Sequence, residues 1–247
     1  MSRRQLKKIL FESLRQGNLE EIFRTISEYQ EHRLLNPLFI ALCNNEERVR
    51  YHAVCCFGRV VPAMASKDPE AARVVMRRFL WSLNDESGGI GWGAPEAMAE
   101  IMCHSDRLRS EYVHMLISYM RKDGDKPFED GNYLELPMLQ RGLLWGIGRL
   151  CQLHRDEMIG HRITADLAAY LDSLDAHVAG LAIRCLGMLG ASAESVKIAP
   201  FCSNKSQLSL FVDGTMKIVT VGQLAENALR QIGESTSEDL STCRPMP

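Results

Sequence analysis

The stretch Asn45-Glu-Glu-Arg-Val-Arg-Tyr-His-Ala-Val-Cys-Cys-Phe-Gly-Arg-Val-Val61 decides the fold class of this chain. Its apolar residues recur every three or four positions, which places Val49 and Ala53 on one face of a helix. Gly58 follows on the same helix, although glycine in a helix interior costs about 1 kcal/mol relative to alanine. A glycine at such a position indicates that a neighbouring helix approaches closely.

The same order of residues recurs along the chain, roughly every 40 residues. The position held by Gly58 is filled in turn by Ala99, Gly148, Gly187 and Arg230. At these residues the sequence resembles the HEAT-like repeat family, with a more distant likeness to the HEAT-like repeats of bilin lyases. The resemblance implies an all-α fold, an α-α superhelix of about five to six antiparallel helix pairs whose second helices line a concave side.

Turn signals divide this single repeat domain, predicted over residues 1–233. The acidic segment 123–135 is rich in turn residues and is interpreted as an insertion loop. Residues 207–220 alternate about Asp213-Gly214, which predicts a small β-hairpin. Residues 234–247 are rich in Ser, Thr and Pro and are expected to form a flexible tail. Two helix starts are also predicted, an N-cap at Asn45 and a helix that opens at Pro37.

Composition narrows the function classes. The net charge of −2 disfavours a protein whose main task is to bind nucleic acid. The longest apolar runs are too short to span a membrane, and the N-terminal segment lacks the apolar core of a secretory signal, so we expect a cytoplasmic protein. The eight cysteines show no C-x-x-C spacing. We therefore expect reduced, mostly buried thiols, with no metal site and no cofactor.

The stretch Trp81-Ser-Leu-Asn-Asp-Glu-Ser-Gly-Gly-Ile-Gly-Trp-Gly-Ala-Pro-Glu96 is the most unusual in the chain. Its glycines lead into a helix predicted to start at about Trp92–Pro95, since proline is tolerated in a first helical turn. The stretch is interpreted either as a partner or ligand site with an exposed Trp92, or as a tight turn whose tryptophans belong to the core. A small anion could also bind at the helix start near Gly91.

The leading hypothesis is a non-enzymatic scaffold or adaptor that binds a protein partner in its concave groove, because no catalytic motif is evident. The candidate binding residues are those of the glycine-rich stretch and two from the next repeat: Asn84, Asp85, Glu86, Gly89, Gly91, Trp92, Glu96, Arg141 and Trp145. Trp145 could instead be core, since Leu144 and Ile147 flank it.

The alternative hypothesis is an enzyme or ligand binder at the same stretch. Some proteins of this fold resemble bilin lyases and others alkylpurine DNA glycosylases. A glycosylase would need an aromatic wall, a carboxylate and a basic concave face. Trp92 and Trp145 could supply the wall, and Asp85 or Glu86 the carboxylate, but the charge balance does not supply the basic face.

Overall fold

The structure is a computed structural model that describes residues 2–84, 90–122, 124 and 132–242, with side chains described through residue 234. The chain forms two compact units. The first comprises Met1–Ser118 together with Phe211–Lys217, and the second comprises Tyr119–Leu210 together with Ile218–Pro247. No helix in the described ranges is both long and apolar enough to cross a membrane.

The described residues of the first unit form seven helices: α1 (Arg3–Gln16), α2 (Leu19–Ser27), α3 (Glu31–Leu42), α4 (Glu47–Lys67), α5 (Pro69–Leu83), α6 (Ala94–Cys103) and α7 (Asp106–Ser118). Helix α4 is central, because it packs against α3, α5 and α6. Phe39, Phe57 and Phe79 come from α3, α4 and α5, and their ring centroids lie 4.8 to 5.1 Å apart. Aromatic burial of this kind holds consecutive helices together.

In the second unit, the part of the chain that the structure describes forms six α-helices: α8 (Pro137–Leu153), α9 (Arg155–Gly160), α10 (Thr164–Ala168), α11 (Ala176–Leu189), α12 (Ser195–Ile198) and α13 (Val221–Thr242). Helix α11 packs against both α8 and α13. Short 3-10 segments extend α10 and flank α12. Helix α13 continues to Thr242, into the segment for which the sequence predicts a flexible tail.

The small residues of the repeat pattern lie where helices approach most closely. A β-carbon added at Gly58 would lie 2.7 Å from Glu100 Cγ on α6. At Gly187 it would lie 2.5 Å from the Cα of Ala228 on α13. Both separations are shorter than real packing allows. The glycines of the repeat pattern therefore mark helix–helix contacts. The predicted all-α repeat fold is confirmed.

The predicted hairpin is also confirmed, as strands β1 (Gln207–Val212) and β2 (Thr215–Thr220). Asp213 and Gly214 have φ values of 51° and 77°, which a two-residue hairpin turn of type I′ requires. The tip of the hairpin belongs to the first unit, where Phe211 stacks on Tyr51 with ring centroids 4.9 Å apart. The imidazole of His52 lies 3.3 Å from the carbonyl oxygen of Gly214.

Two predicted helix starts are wrong. Helix α3 begins at Glu31, so Pro37 lies in its interior. Proline has no backbone N–H, so the helix lacks one hydrogen bond at this position and is less stable for it. The burial of Pro37 in the core offsets this cost. Helix α4 has Glu46 as its N-cap, and its N–H donates to Oδ1 of Asn44 at 2.8 Å. Asn44 therefore satisfies an amide near the helix start that the sequence assigned to Asn45.

The cysteines of the described residues are free thiols. Five of them, Cys55, Cys56, Cys103, Cys151 and Cys185, are buried. Burial in an apolar environment disfavours the thiolate and raises the pKa of Cys56 well above its ordinary range. Such thiols are packing residues with little nucleophilic character.

Candidate partner-binding corner

The candidate site is the connection between α5 and α6, which we call the α5–α6 corner and define as residues 81–84 and 90–96. Helix α5 ends at Leu83, and the exposed Asn84 is its C-cap. Asp85, Glu86 and Gly89, which the sequence also predicts as site residues, lie outside the described residues.

Two glycines fix the path of the chain into α6. A β-carbon at Gly91 would lie 2.9 Å from the carbonyl oxygen of Ser82, so this glycine packs directly on the last turn of α5. Gly93 is the N-cap of α6 and has a φ of 69°, a left-handed conformation that favours glycine. Pro95 follows in the first turn. The helix start predicted at Trp92–Pro95 is confirmed.

Exposed apolar side chains concentrate at this corner. Trp81 is 77% exposed, and Trp92 and Ile90 are each 39% exposed. The contact of Gly91 with Ser82 brings the backbone before Trp92 against the turn of α5 that carries Trp81. The chain has three tryptophans, so two of them are exposed in one connection.

Trp81 belongs to this candidate corner, although the sequence prediction did not select it. The signal was present, because Val75 and Phe79 mark the buried face of α5. Trp81 is two residues beyond Phe79, which places it on nearly the opposite side of a helix. A helical projection of α5 therefore separates Trp81 from the core residues.

Glu96 is the described acid of the corner, and its environment is unusual. The residue is partly exposed, but its Oε2 atom is buried and has no hydrogen-bond partner among the residues that the structure describes. Burial raises the pKa of this carboxyl to about 7, against the opposing effects of its own backbone N–H and of Arg50. Desolvation thus outweighs the favourable field of the helix start.

The small anion predicted near Gly91 finds no support in the described geometry. The N–H of Ala94 donates to the carbonyl oxygen of Gly91 at 3.0 Å, and the N–H of Ala97 donates to that of Gly93 at 2.9 Å. The Glu96 carboxyl takes its own backbone N–H. Internal acceptors therefore already occupy amides that an anion would need.

The other two predicted site residues, Arg141 and Trp145, belong to α8 of the second unit. Trp145 is 2% exposed, so it is a core residue and leaves the candidate site. Its neighbours Leu144 and Ile147 are fully buried beside it, in keeping with the core alternative that the sequence left open. An indole in this position cannot form a wall for a partner or a base.

Arg141 forms an ion pair with Asp175, the N-cap residue of α11. Its Nη2 atom donates to Oδ2 of Asp175 at 2.5 Å, and Asp175 also accepts from the N–H groups of His177 and Val178 at the start of α11. Burial alone would raise the pKa of Asp175, but the guanidinium and these amides hold it below its ordinary value. Arg141 therefore has a structural role in the repeat stack.

Known proteins resemble this chain in fold. No protein-family model matches the chain, and no curated protein matches it. A designed armadillo repeat protein is 16% identical with a TM-score of 0.52, and the match covers 93% of this chain and 92% of that one. An engineered protein is 15% identical with a TM-score of 0.54, covering 94% and 90% of the two chains.

Identities this low carry information on the fold and not on the function. Together with the periodic glycines and the ladder of helices, these likenesses show that the chain has a helical-repeat solenoid fold of the armadillo and HEAT type.

Proposed function

We propose that this chain is a non-enzymatic scaffold that binds a protein partner, with the α5–α6 corner as a contact surface. The observation that carries the proposal is the exposure of two tryptophans, Trp81 at 77% and Trp92 at 39%, in one connection of a repeat protein. Tryptophan is among the residues most enriched at binding hot spots.

The corner has the properties that a binding surface needs. Exposed apolar side chains that stand singly are ordinary, but a group of large ones marks an interaction surface. Gly91 and Gly93 hold the backbone of the corner against α5 and α3, where added β-carbons would collide with Ser82 and Leu42. A rigid backbone lowers the entropy lost when a partner binds.

A displayed library of random peptides, selected on the wild-type protein, would provide partners whose affinities can be measured by calorimetry. Removing a hot-spot tryptophan costs about 2 kcal/mol or more, so we expect Trp81→Ala to weaken the selected peptides at least about tenfold. Trp81→Ala is preferable to Trp92→Ala, since Trp92 is also partly buried.

Leu174→Ala is a matched control, because Leu174 is a fully exposed apolar residue elsewhere in the chain. It should leave the affinities unchanged. Equal binding by wild-type protein and by a correctly folded Trp81→Ala variant would refute the corner as the contact surface.

A small ligand at the same corner is the alternative proposal. It is favoured by the buried Oε2 of Glu96, which has no hydrogen-bond partner in the described part of the chain. The pKa of this carboxyl is raised to about 7. Carboxyls with such shifts are more frequent at functional sites. A thermal-shift screen over phosphates, nucleotides and amines, repeated on Glu96→Gln, tests it. Stabilisation by a compound that Glu96→Gln abolishes would favour this alternative.

A further inference from the structure

A second surface lies between α1 and α3, and we call it the α1–α3 groove. It is a cavity of about 640 Å³ whose basic lining residues are Arg3, Arg4 and Lys7 from α1 and Arg33 from α3. None of its lining residues in the described ranges is acidic. The whole chain carries a net charge of −2, so this positive charge is a local feature.

The three cations that α1 contributes to the groove are not neutralised within the described part of the chain. Arg3, Arg4 and Lys7 are exposed, and none of them pairs with a carboxylate there. They stand in the first turns of α1, whose first turn contains no acid. The N-terminus of a helix carries partial positive charge, so side chains and backbone produce fields of the same sign.

The floor of the groove is apolar. Leu6 and Pro37 are buried beneath it, and Ile40 is 41% exposed in it. The groove therefore combines a basic rim with a floor that can accept an apolar side chain.

We propose that the α1–α3 groove binds an acidic segment of a partner protein, one in which an apolar side chain stands between carboxylates. The carboxylates pair with Arg3, Arg4 and Lys7, and the apolar side chain lies on Ile40. Charge complementarity of this kind gives specificity and fast association. The inference rests on the proposed function in that the occupant is a protein segment, but it concerns a different surface from the α5–α6 corner.

Two other anionic surfaces fit the groove less well. Binding of α1 to an anionic membrane would need an apolar helix face free to insert, and Leu6, Leu10 and Leu14 of α1 are buried in the core. Nucleic acid is bound through its phosphates along an extended basic surface, and it would leave the exposed Ile40 unused.

Fluorescence anisotropy with a labelled peptide of repeated Glu-Leu-Asp-Glu units tests the proposal on the full chain. We expect saturable binding that weakens as salt is raised, because exposed ion pairs are screened. The double variant Arg4→Glu with Lys7→Glu should lower the affinity about tenfold or more, since attraction becomes repulsion at two positions. A peptide with Ser in place of Leu should also bind more weakly.

Lys205→Glu with Lys217→Glu is the matched control, because it makes the same change in net charge at two exposed lysines outside the groove lining. It should leave the affinity near that of the wild type. Should the reversed charges disturb folding, as measured by circular dichroism, Arg4→Gln with Lys7→Gln provides the same comparison with a smaller change.

Three results would overturn the inference. The peptide could bind the groove variant, Arg4→Glu with Lys7→Glu, as tightly as the control variant, Lys205→Glu with Lys217→Glu. A single-stranded oligonucleotide or phosphatidylserine vesicles could bind more tightly than the peptide, with the same dependence on Arg4 and Lys7. The Ser-containing peptide could bind as well as the original, which would reduce the groove to a nonspecific charged surface. Trp81→Ala should not affect this assay, so failure here and failure at the α5–α6 corner are distinguishable.

Discussion

Helices α1 and α2 begin with the same local structure but with opposite charge. Each has a capping box, in which Ser2 and Gln5 exchange hydrogen bonds at the start of α1, and Asn18 and Glu21 do so at the start of α2. The first turn of α2 contains two acids, Glu20 and Glu21, and that of α1 contains none.

The two helix starts differ in the charge of their first turn, and this difference separates a start that only stabilises its helix from one that lies at a candidate binding surface. Acids near a helix N-terminus are worth about 0.3–1 kcal/mol each, and cations there are unfavourable. Helix α2 follows this rule, while α1 places Arg3 and Arg4 against it. Local violations of stabilising rules concentrate at functional sites, and the α1–α3 groove lies at this one.

The start of α6 extends the comparison to a buried acid and gives the largest expected effect. The pKa of Glu96 in the folded state, about 7, lies above its unfolded value. Ionisation is therefore disfavoured by folding, and the penalty develops as pH rises from about 4.5 to about 7 and is complete above that range. Glu96→Gln removes the charge and should stabilise the protein on the order of 2–3 kcal/mol at pH 8.

Urea unfolding of wild-type protein and Glu96→Gln at pH 4.5 and pH 8 checks this prediction. The two proteins should differ little at the lower pH, where the Glu96 carboxyl is neutral in the folded protein and only about half ionised in the unfolded chain, and most at the higher pH. A difference in unfolding free energy that did not change with pH would contradict the assigned pKa.

Breaking the charged capping box of α2 should have an intermediate effect. Asn18→Ala removes the side chain that accepts from the N–H of Glu21 at 3.0 Å, and loss of such a cap costs about 1 kcal/mol. The matched variant Ser2→Ala removes the corresponding acceptor at the neutral box of α1. Thermal unfolding followed by circular dichroism should show that both variants are destabilised, with the charged box losing at least as much. If Asn18→Ala had the thermal stability of the wild type, water would replace the Asn18 side chain as the acceptor for the N–H of Glu21 without loss of stability.

The smallest effect sharpens the comparison directly. Gln5→Glu converts the neutral box of α1 into the charged form found in α2, and an acid in the first turn should add about 0.3–1 kcal/mol of stability. The same charge lies beside Arg4 and Lys7, so affinity for the acidic peptide should fall. Chemical unfolding and anisotropy on one variant measure both quantities. A gain in stability with unchanged peptide affinity would separate the helix start from the groove.

The sequence determined the fold class through the spacing of small and apolar residues. Gly58 and Gly187 could be recognised because glycine in a helix interior is costly unless another helix requires the space, and both lie at such contacts. Asp213-Gly214 specified the hairpin through local geometry alone. These features are encoded within a few residues, so a single chain shows them.

Helical spacing in α5 already separates Trp81 from the core, but the exposure of Trp92 and Trp145 was decided by the tertiary structure. The three tryptophans differ in the exposed fraction of the residue, which is 77% for Trp81, 39% for Trp92 and 2% for Trp145. The fractions differ because exposure depends on which other helices cover each position. The α1–α3 groove was hidden for the same reason. The cations of α1 were visible in the sequence, but two residues of the apolar floor, Pro37 and Ile40, come from α3, more than a helix away along the chain. Contacts between distant segments cannot be read from local spacing, and both candidate surfaces are built from such contacts.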